Sequence, residues 1–496
     1  MELLEKFKQQ TFKIKAYNYA LNVVGWDSAT EAPRNAFQRR SEMMGVLSGE
    51  LFQLNTSKES QEVVYGLFER LEELSDLDKK QVIKAKKGLD KIIKIPQDEF
   101  VEYNKLVGLS QRLWEDAKEN NDFELFRPNL EKLIDFNKKF VSYYEIDDHP
   151  YNVLLDDYEE GMSMKEYDAF FDTLKRDLVP FVKDVLNSGK VLNDAFALDS
   201  FDKAKQKEFC DYLIDVLAFD RNSGVMKESV HPFTWNTHPG DVRFTTRYLE
   251  NMVFSSIFAA IHELGHATYE QQIDNALNDT ILGGGSSMGL HESQSRFYEN
   301  IVGRSLEFWE VHYPKMLELF PEQLKNVSLD DFYRATNKVE ASLIRVEADE
   351  LTYPLHIMLR YEIERMLMSD EVEVKDLPKL WNSKIVEYLG IEPKNDAEGV
   401  LQDVHWSAGL LGYFPTYALG SAYAAQFYYA MKKEINVEQL IKENKISEIN
   451  AWLKDKIHQY GQSKTPKELL LDVTGEPFDA KYYVQYLKEK YGKLYL

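Results

Sequence analysis

The chain is poor in residues that cross-link or interrupt structure. It has a single cysteine in 496 residues, Cys210. No disulfide can therefore form within the chain, and a lone thiol in an apolar helical context reads as packing. Glycine (24) and proline (15) are scarce, which argues against a loop-rich or sheet-dominated chain and for helix. No window offers 18 uncharged apolar residues, so no transmembrane helix is expected. The opening MELLEKFKQQTFKIKAY alternates charge and lacks an apolar stretch. No secretory signal is read there, and a cytoplasmic location is expected. Basic residues are outnumbered, 60 against 83 acidic ones, for a net charge of −23. Such a surface repels phosphate backbones, so nucleic acid is not an expected partner. Aromatic residues at 13% and the lack of long polar tracts argue against disorder.

Helical periodicity fills most of the chain. Residues 1–24 read as an amphipathic helix ending near Gly25-Trp26-Asp27, followed by helices over 35–53, 58–93, 97–120, 124–144, 163–188 and 200–219. No repeat, low-complexity segment or Ser/Gly/Pro-rich linker divides the chain. The expectation is one large all-α domain over 1–496, with lobes of about 1–220 and 221–496 around a cleft. The stretch 221–248 differs. His231-Pro232 and Pro239-Gly240 punctuate it, and the run Val242 to Tyr248 is rich in strand-favouring residues, so a hairpin or three-stranded sheet is expected.

Directly after it, residues 251–273 read as a largely buried helix, with Met252, Phe254, Ile257, Phe258, Ile261 and Leu264 interrupted by His262, Glu263 and His266. Residues i and i+4 lie one turn apart on a helix face, so two imidazoles can grip one metal ion. Glu263 is rotated away but within reach of a water on that metal, which is the physical content of His-Glu-x-x-His. Chance supplies roughly 0.02 such motifs in a chain this long. A catalytic zinc needs a third protein ligand and an open position. A second helix, 289–300, follows the turn Gly283-Gly284-Gly285-Ser286-Ser287. It offers Glu292, preferred, or Glu299, with His291 a third option that more often supports a ligand than serves as one.

Six short motifs together resemble the thermostable carboxypeptidase family named for carboxypeptidase Taq. His231-Pro232-Phe233 is similar to its HPF, and Asp241-Val242-Arg243-Phe244-Thr245 to DxRxT. His262 to His266 is the HExxH, and His291-Glu292-Ser293-Gln294 the HES/GQ. Ile344-Arg345-Val346-Glu347-Ala348-Asp349 is similar to I/VRxxAD, and Gly399 to Trp406 to GxxQDxHW. Trp26-Asp27, Thr30 and Pro33 look like the family's start, although Ala32 stands where Met is usual. The resemblance runs from about residue 20 to 420.

The resemblance implies an all-α, gluzincin-like saddle with two lobes, a deep groove and a small sheet near the metal. It implies a homodimeric zinc carboxypeptidase, in which cobalt can replace zinc, that releases C-terminal residues singly, with broad specificity and poor action on proline. It also implies Glu292 as the third ligand beside His262 and His266. In the expected mechanism Glu263 is general base. His405 and Tyr417, twelve residues apart, are nominated as oxyanion donors, because the spacing is similar to donor pairs in related gluzincins. Arg345, in an apolar stretch read as helical, is the expected reader of the substrate carboxylate, with Arg243 its rival. His231 and Gln402 are candidates to line the groove. Peptides are the expected partners. A zinc endopeptidase shares the same core, and a structural-zinc or peptide-binding protein is the reading from another class.

Overall fold

The computed structural model describes residues 2–496. It is mainly helical, with one small three-stranded sheet. Among the described residues no helix is long and apolar enough to cross a membrane.

Helices form where the sequence places them, with shifts that have local causes. The first, Glu2–Thr30, runs through Gly25-Trp26-Asp27 instead of ending there. Its last-turn hydroxyls, Ser28 and Thr30, bond back to the Val24 and Trp26 carbonyls, and it stops short of Pro33. The single helix expected over 58–93 is two, Lys58–Phe68 and Asp76–Ile93. Ser75 caps the second through the Asp78 amide, 3.2 Å away. The 163–188 helix contains a π turn, Leu174–Leu178, just before Pro180. Proline has no N–H to donate, and the wider turn absorbs the missing bond. The stretch Ala341–Arg345 is not helical: only a short turn, Arg345–Glu347, interrupts an irregular segment there.

The residue-220 region does not mark a break in the core. Phe209 and Leu213 before it pack in the same apolar cluster as Phe244, Ile257 and Ile261 after it. A separate small cluster joins Phe7, Val63, Val64, Leu67, Val82 and Leu89, all from the first 93 residues.

The sheet stands where the strand-favouring run predicts. Strands β1 (Gly224–Glu228), β2 (Thr234–His238) and β3 (Asp241–Thr246) are ordered β1-β3-β2. β3 runs parallel to β1 and antiparallel to β2, with a register shift at Asn236/His238. Val242, Phe244, Thr245 and Thr246 of β3 are fully buried, and the next helix, Val253–Gln271, packs on this sheet. Thr246 Oγ1 donates to the Ser256 carbonyl at 3.0 Å, tying the strand to the helix's first turns.

Candidate metal centre

The Val253–Gln271 helix buries its apolar side, Ile257, Ile261 and Leu264, in the main core. That fixes the rotation of the helix and turns His262 and His266 together toward the helix Met288–Arg296. Ser287 caps this second helix through the Leu290 amide. Two glycines set how closely it lies between its neighbours. A Cβ on Gly265 would stand 2.6 Å from Ser295 Cα, and one on Gly420 would stand 2.6 Å from Glu292 Cβ. Glu292 is thereby held opposite the two imidazoles.

Glu292 Oε2 lies 3.8 Å from His262 Nε2 and 3.6 Å from His266 Nε2. Bonds of about 2.0–2.2 Å to a tetrahedral divalent ion set ligand edges of about 3.4 Å, so one ion fits between these three atoms. It is the one group of three or more His, Cys, Asp or Glu side chains with ligand atoms so converging among the described residues. The electrostatics agree with a cation. At His262 burial is outweighed by the Glu292 and Glu299 carboxylates, which raise its pKa. At His266 burial, with help from the neighbouring His291 and His262, pushes the pKa well down and keeps the imidazole in its neutral, ligating form.

Each imidazole is oriented through its other nitrogen. His262 Nδ1 meets Glu299 Oε2 at 2.9 Å. His266 Nδ1 meets His291 Nδ1 at 2.6 Å, and His291 Nε2 meets Glu270 Oε1 at 2.7 Å. One carboxylate thus acts directly and the other through an intervening imidazole. Glu299 sits in a π turn, Phe297–Val302, that continues the Glu292 helix. Burial alone would raise its carboxyl, but Arg296, the His262 contact and Arg304 hold it well below the usual range. Arg296 donates from Nε to Glu292 Oε1 at 2.7 Å and from Nη1 to Glu299 Oε2 at 3.2 Å, bridging the two acids.

Glu263 is 7% exposed, and burial raises its pKa. Thr234 of β2 donates to its Oε2 at 2.5 Å, so the sheet aims this carboxyl. His405 Nε2 and Tyr417 OH stand 3.2 Å apart. Burial, then Arg345, lowers His405 to about 4, so the imidazole is neutral near pH 7 rather than an imidazolium. Tyr413 packs on both, 5.5 Å from the His405 ring and 5.2 Å from that of Tyr417. The negative charge of Glu292 contributes to raising both tyrosines, behind burial.

The cations nominated for the substrate lie in different settings. Arg345 does not pair with Asp349 along a helix. Its Nε and Nη2 donate to Asp403 Oδ1 at 3.0 and 2.8 Å, and Nη1 donates to Tyr353 OH at 3.2 Å. Three of its five N–H donors are engaged among the described residues, and its guanidinium lies 5.2 Å over the Tyr417 ring. Arg243 is held bidentate by Asp241, at 2.6 and 2.9 Å, beside Trp26. Gln402 engages both ends of its amide. Its oxygen accepts from the Arg345 amide and Arg360, and its nitrogen faces the Leu343, Glu398 and Gly399 carbonyls. His231 is exposed in the connection before β2. A cleft of about 630 Å³, lined by Lys84, Tyr158, Gly285, Ser287 and His291 among others, reaches the His291 side of the centre.

Sequence reasoning missed Thr234, Glu270, Arg296 and Tyr413. Only Arg296 had a local signal, its spacing of four from Glu292 and three from Glu299.

A family model described as carboxypeptidase Taq (M32) metallopeptidase matches residues 6–491. Carboxypeptidase 1 of Bacillus subtilis is 47% identical over 485 residues, covering 98% of this chain and 97% of that protein. Thermostable carboxypeptidase 1 of Pyrococcus furiosus is 37% identical over 499 residues, covering 99% and 98%. The crystal structure of an M32 carboxypeptidase from Deinococcus radiodurans superposes with a TM-score of 0.96 at 33% identity, over 100% of both chains.

Proposed function

The chain belongs to the carboxypeptidase Taq (M32) family of metallopeptidases, and from that premise we propose that this metallocarboxypeptidase releases single amino acids from peptide C-termini with a zinc ion held by His262, His266 and Glu292. The reading extends to broad specificity with poor action on C-terminal proline, to cobalt as a replacement for zinc, and to a cytoplasmic homodimer; these rest on the motif resemblance alone.

Bound zinc supplies Lewis acidity, which acidifies water and polarises a carbonyl. Glu263, steadied by Thr234, takes a proton from the attacking water and later passes it to the leaving amine. Its raised pKa suits it to hold that proton between the two transfers. His405 and Tyr417 donate hydrogen bonds to the developing oxyanion, His405 as a neutral imidazole. Arg345 reads the substrate carboxylate with the N–H groups that Asp403 and Tyr353 leave open.

The observation that carries this reading is the convergence of His262, His266 and Glu292 beside Glu263. The test is a time course on a short free-acid peptide and its C-terminally amidated copy, read by mass spectrometry. Stepwise loss from the free acid alone, abolished by a chelator and restored by Zn²⁺ or Co²⁺, is the expected result. Internal cleavage of both peptides would leave the metal assignment standing and remove the carboxylate-reading role of Arg345.

A further inference from the structure

The helix Tyr353–Met368 carries His356, Arg360 and Glu364 at a spacing of four, and all three are 0% exposed. Residues at that spacing share one helix face. Ionisable groups placed so deep are costly unless matched by partners. Two of these three are matched by the same partner, the irregular segment 398–414 that carries His405. Arg360 donates from Nη2 to Gln402 Oε1 at 2.8 Å and from Nε to Asp403 Oδ2 at 2.8 Å. Glu364 Oε1 accepts from Trp406 Nε1 at 2.8 Å. Its Oε2 accepts from the Gly412 amide at 2.8 Å and from Tyr151 OH at 2.8 Å.

His405 therefore sits between two anchor points, Asp403 just before it and Trp406 just after. The segment needs them. It has no helix or strand of its own, and Gly409 and Gly412 take left-handed backbone, at φ +73° and +90°. Such a loop does not by itself hold a side chain to the half-ångström that a transition-state contact requires. Glu364 bonds to none of the three converging ligands nor to Glu263, so the mechanism above leaves it without a task.

We propose that Glu364 is a positioning residue for His405: its carboxylate clamps Trp406 and Gly412, the two ends of the turn that aims the imidazole, while Arg360 clamps the preceding residues. The proposal rests on the reading of His405 as a donor to the oxyanion.

The test uses the full chain loaded with Zn²⁺ and a short free-acid peptide. The variants are Glu364→Gln, Trp406→Phe and their double, with Glu364→Gln also placed in a His405→Ala background. Glu364→Gln keeps the shape but turns an amide N–H₂ toward one of its donors. Expected is a fall in kcat of about 10- to 100-fold, with KM within about twofold, as for a lost alignment made in the transition state. Metal content should stay at one ion per chain, and amide hydrogen exchange should quicken within 402–414. The double variant should be no worse than its worse single, because both changes break one contact. In the His405→Ala background Glu364→Gln should cost nothing further.

A full multiplicative loss in that background, with metal retained, would make Glu364 a structural residue and overturn the proposal while leaving His405 in place. If His405→Ala alone left kcat intact, the donor reading would fall and this proposal with it. Should Glu364→Gln not fold, Trp406→Phe carries the same test, since it removes one donor from the clamp.

Discussion

Gly265 lies between His262 and His266, and a single methyl there should dismantle the metal centre. Its Cβ would stand 2.6 Å from Ser295 Cα, 2.8 Å from the Gln294 carbonyl oxygen and 3.1 Å from the Gln294 carbonyl carbon. These are backbone atoms and cannot rotate aside. Ordinary contact needs about 3.5–4.0 Å, so Gly265→Ala obliges the two helices to part by about 1 Å at this point. Gly420 makes retreat harder, because the Glu292 side chain already rests where its Cβ would be. Parting by that amount takes Glu292 Oε2 from 3.6 and 3.8 Å to about 4.7 Å from the imidazole nitrogens, farther than two bonds of about 2.1 Å can span. Overpacking of this kind costs about 1–3 kcal/mol of stability. The larger effect is on the metal, where affinity should fall by at least about 10- to 100-fold, the range for disturbing what supports a ligand. Competition against a graded series of chelators measures it directly, and turnover should recover partly at high Zn²⁺. An alanine variant with unchanged metal affinity and unchanged kcat/KM would refute the reasoning, because it would mean that the helix contact does not set the ligand distance.

Two further outcomes follow from single groups. Glu263→Gln should retain its metal, since Glu263 is not among the converging ligands. It should lose about 10²- to 10⁴-fold in kcat, the usual weight of a general base; a variant that binds metal and keeps its rate would take the general-base role away from Glu263. His356 is fully buried and its pKa is pushed down to about 3, by burial first and then by Arg360 and Arg345. The unfolded chain takes up that proton near pH 6.5 and the folded chain only near 3. Stability from this group is therefore fully present above about pH 6.5 and falls as pH drops through the window between, at up to about 1.4 kcal/mol per pH unit. His356→Phe should flatten the dependence by about one proton in denaturant melts between roughly pH 6.5 and 4. An equal slope in both proteins counts against a neutral buried imidazole.

Much of the molecule is legible residue by residue because its determinants are local. The helical class follows from periodicity, and the sheet from the Val242–Tyr248 run. The grip of His262 and His266 follows from a spacing of four on one helix. Even the break within 58–93 had a signal, since Ser75 and Asp78 spell a helix start that the long charged run obscured. Motif order extended this to the family, and to Glu292 in place of Glu299, a choice that spacing alone left open.

Other features had no local trace. Arg345 has an acid four residues on, Asp349, yet its partner is Asp403, 58 positions away, and Asp349 instead caps the turn at Leu351 and Thr352. Glu270 reaches the centre only through His291, and Glu364 reaches His405 only through Trp406 and Gly412. A spacing of four within a helix is set by the covalent chain and the backbone hydrogen bonds, so the sequence by itself determined the placing of the two imidazoles and of the Glu263 carboxyl between them. Which helix comes to rest against that one, how near, and whose carboxylate or guanidinium it delivers are decided by packing, where a missing Cβ at Gly265 and Gly420 matters as much as any functional group; only the tertiary structure decided these.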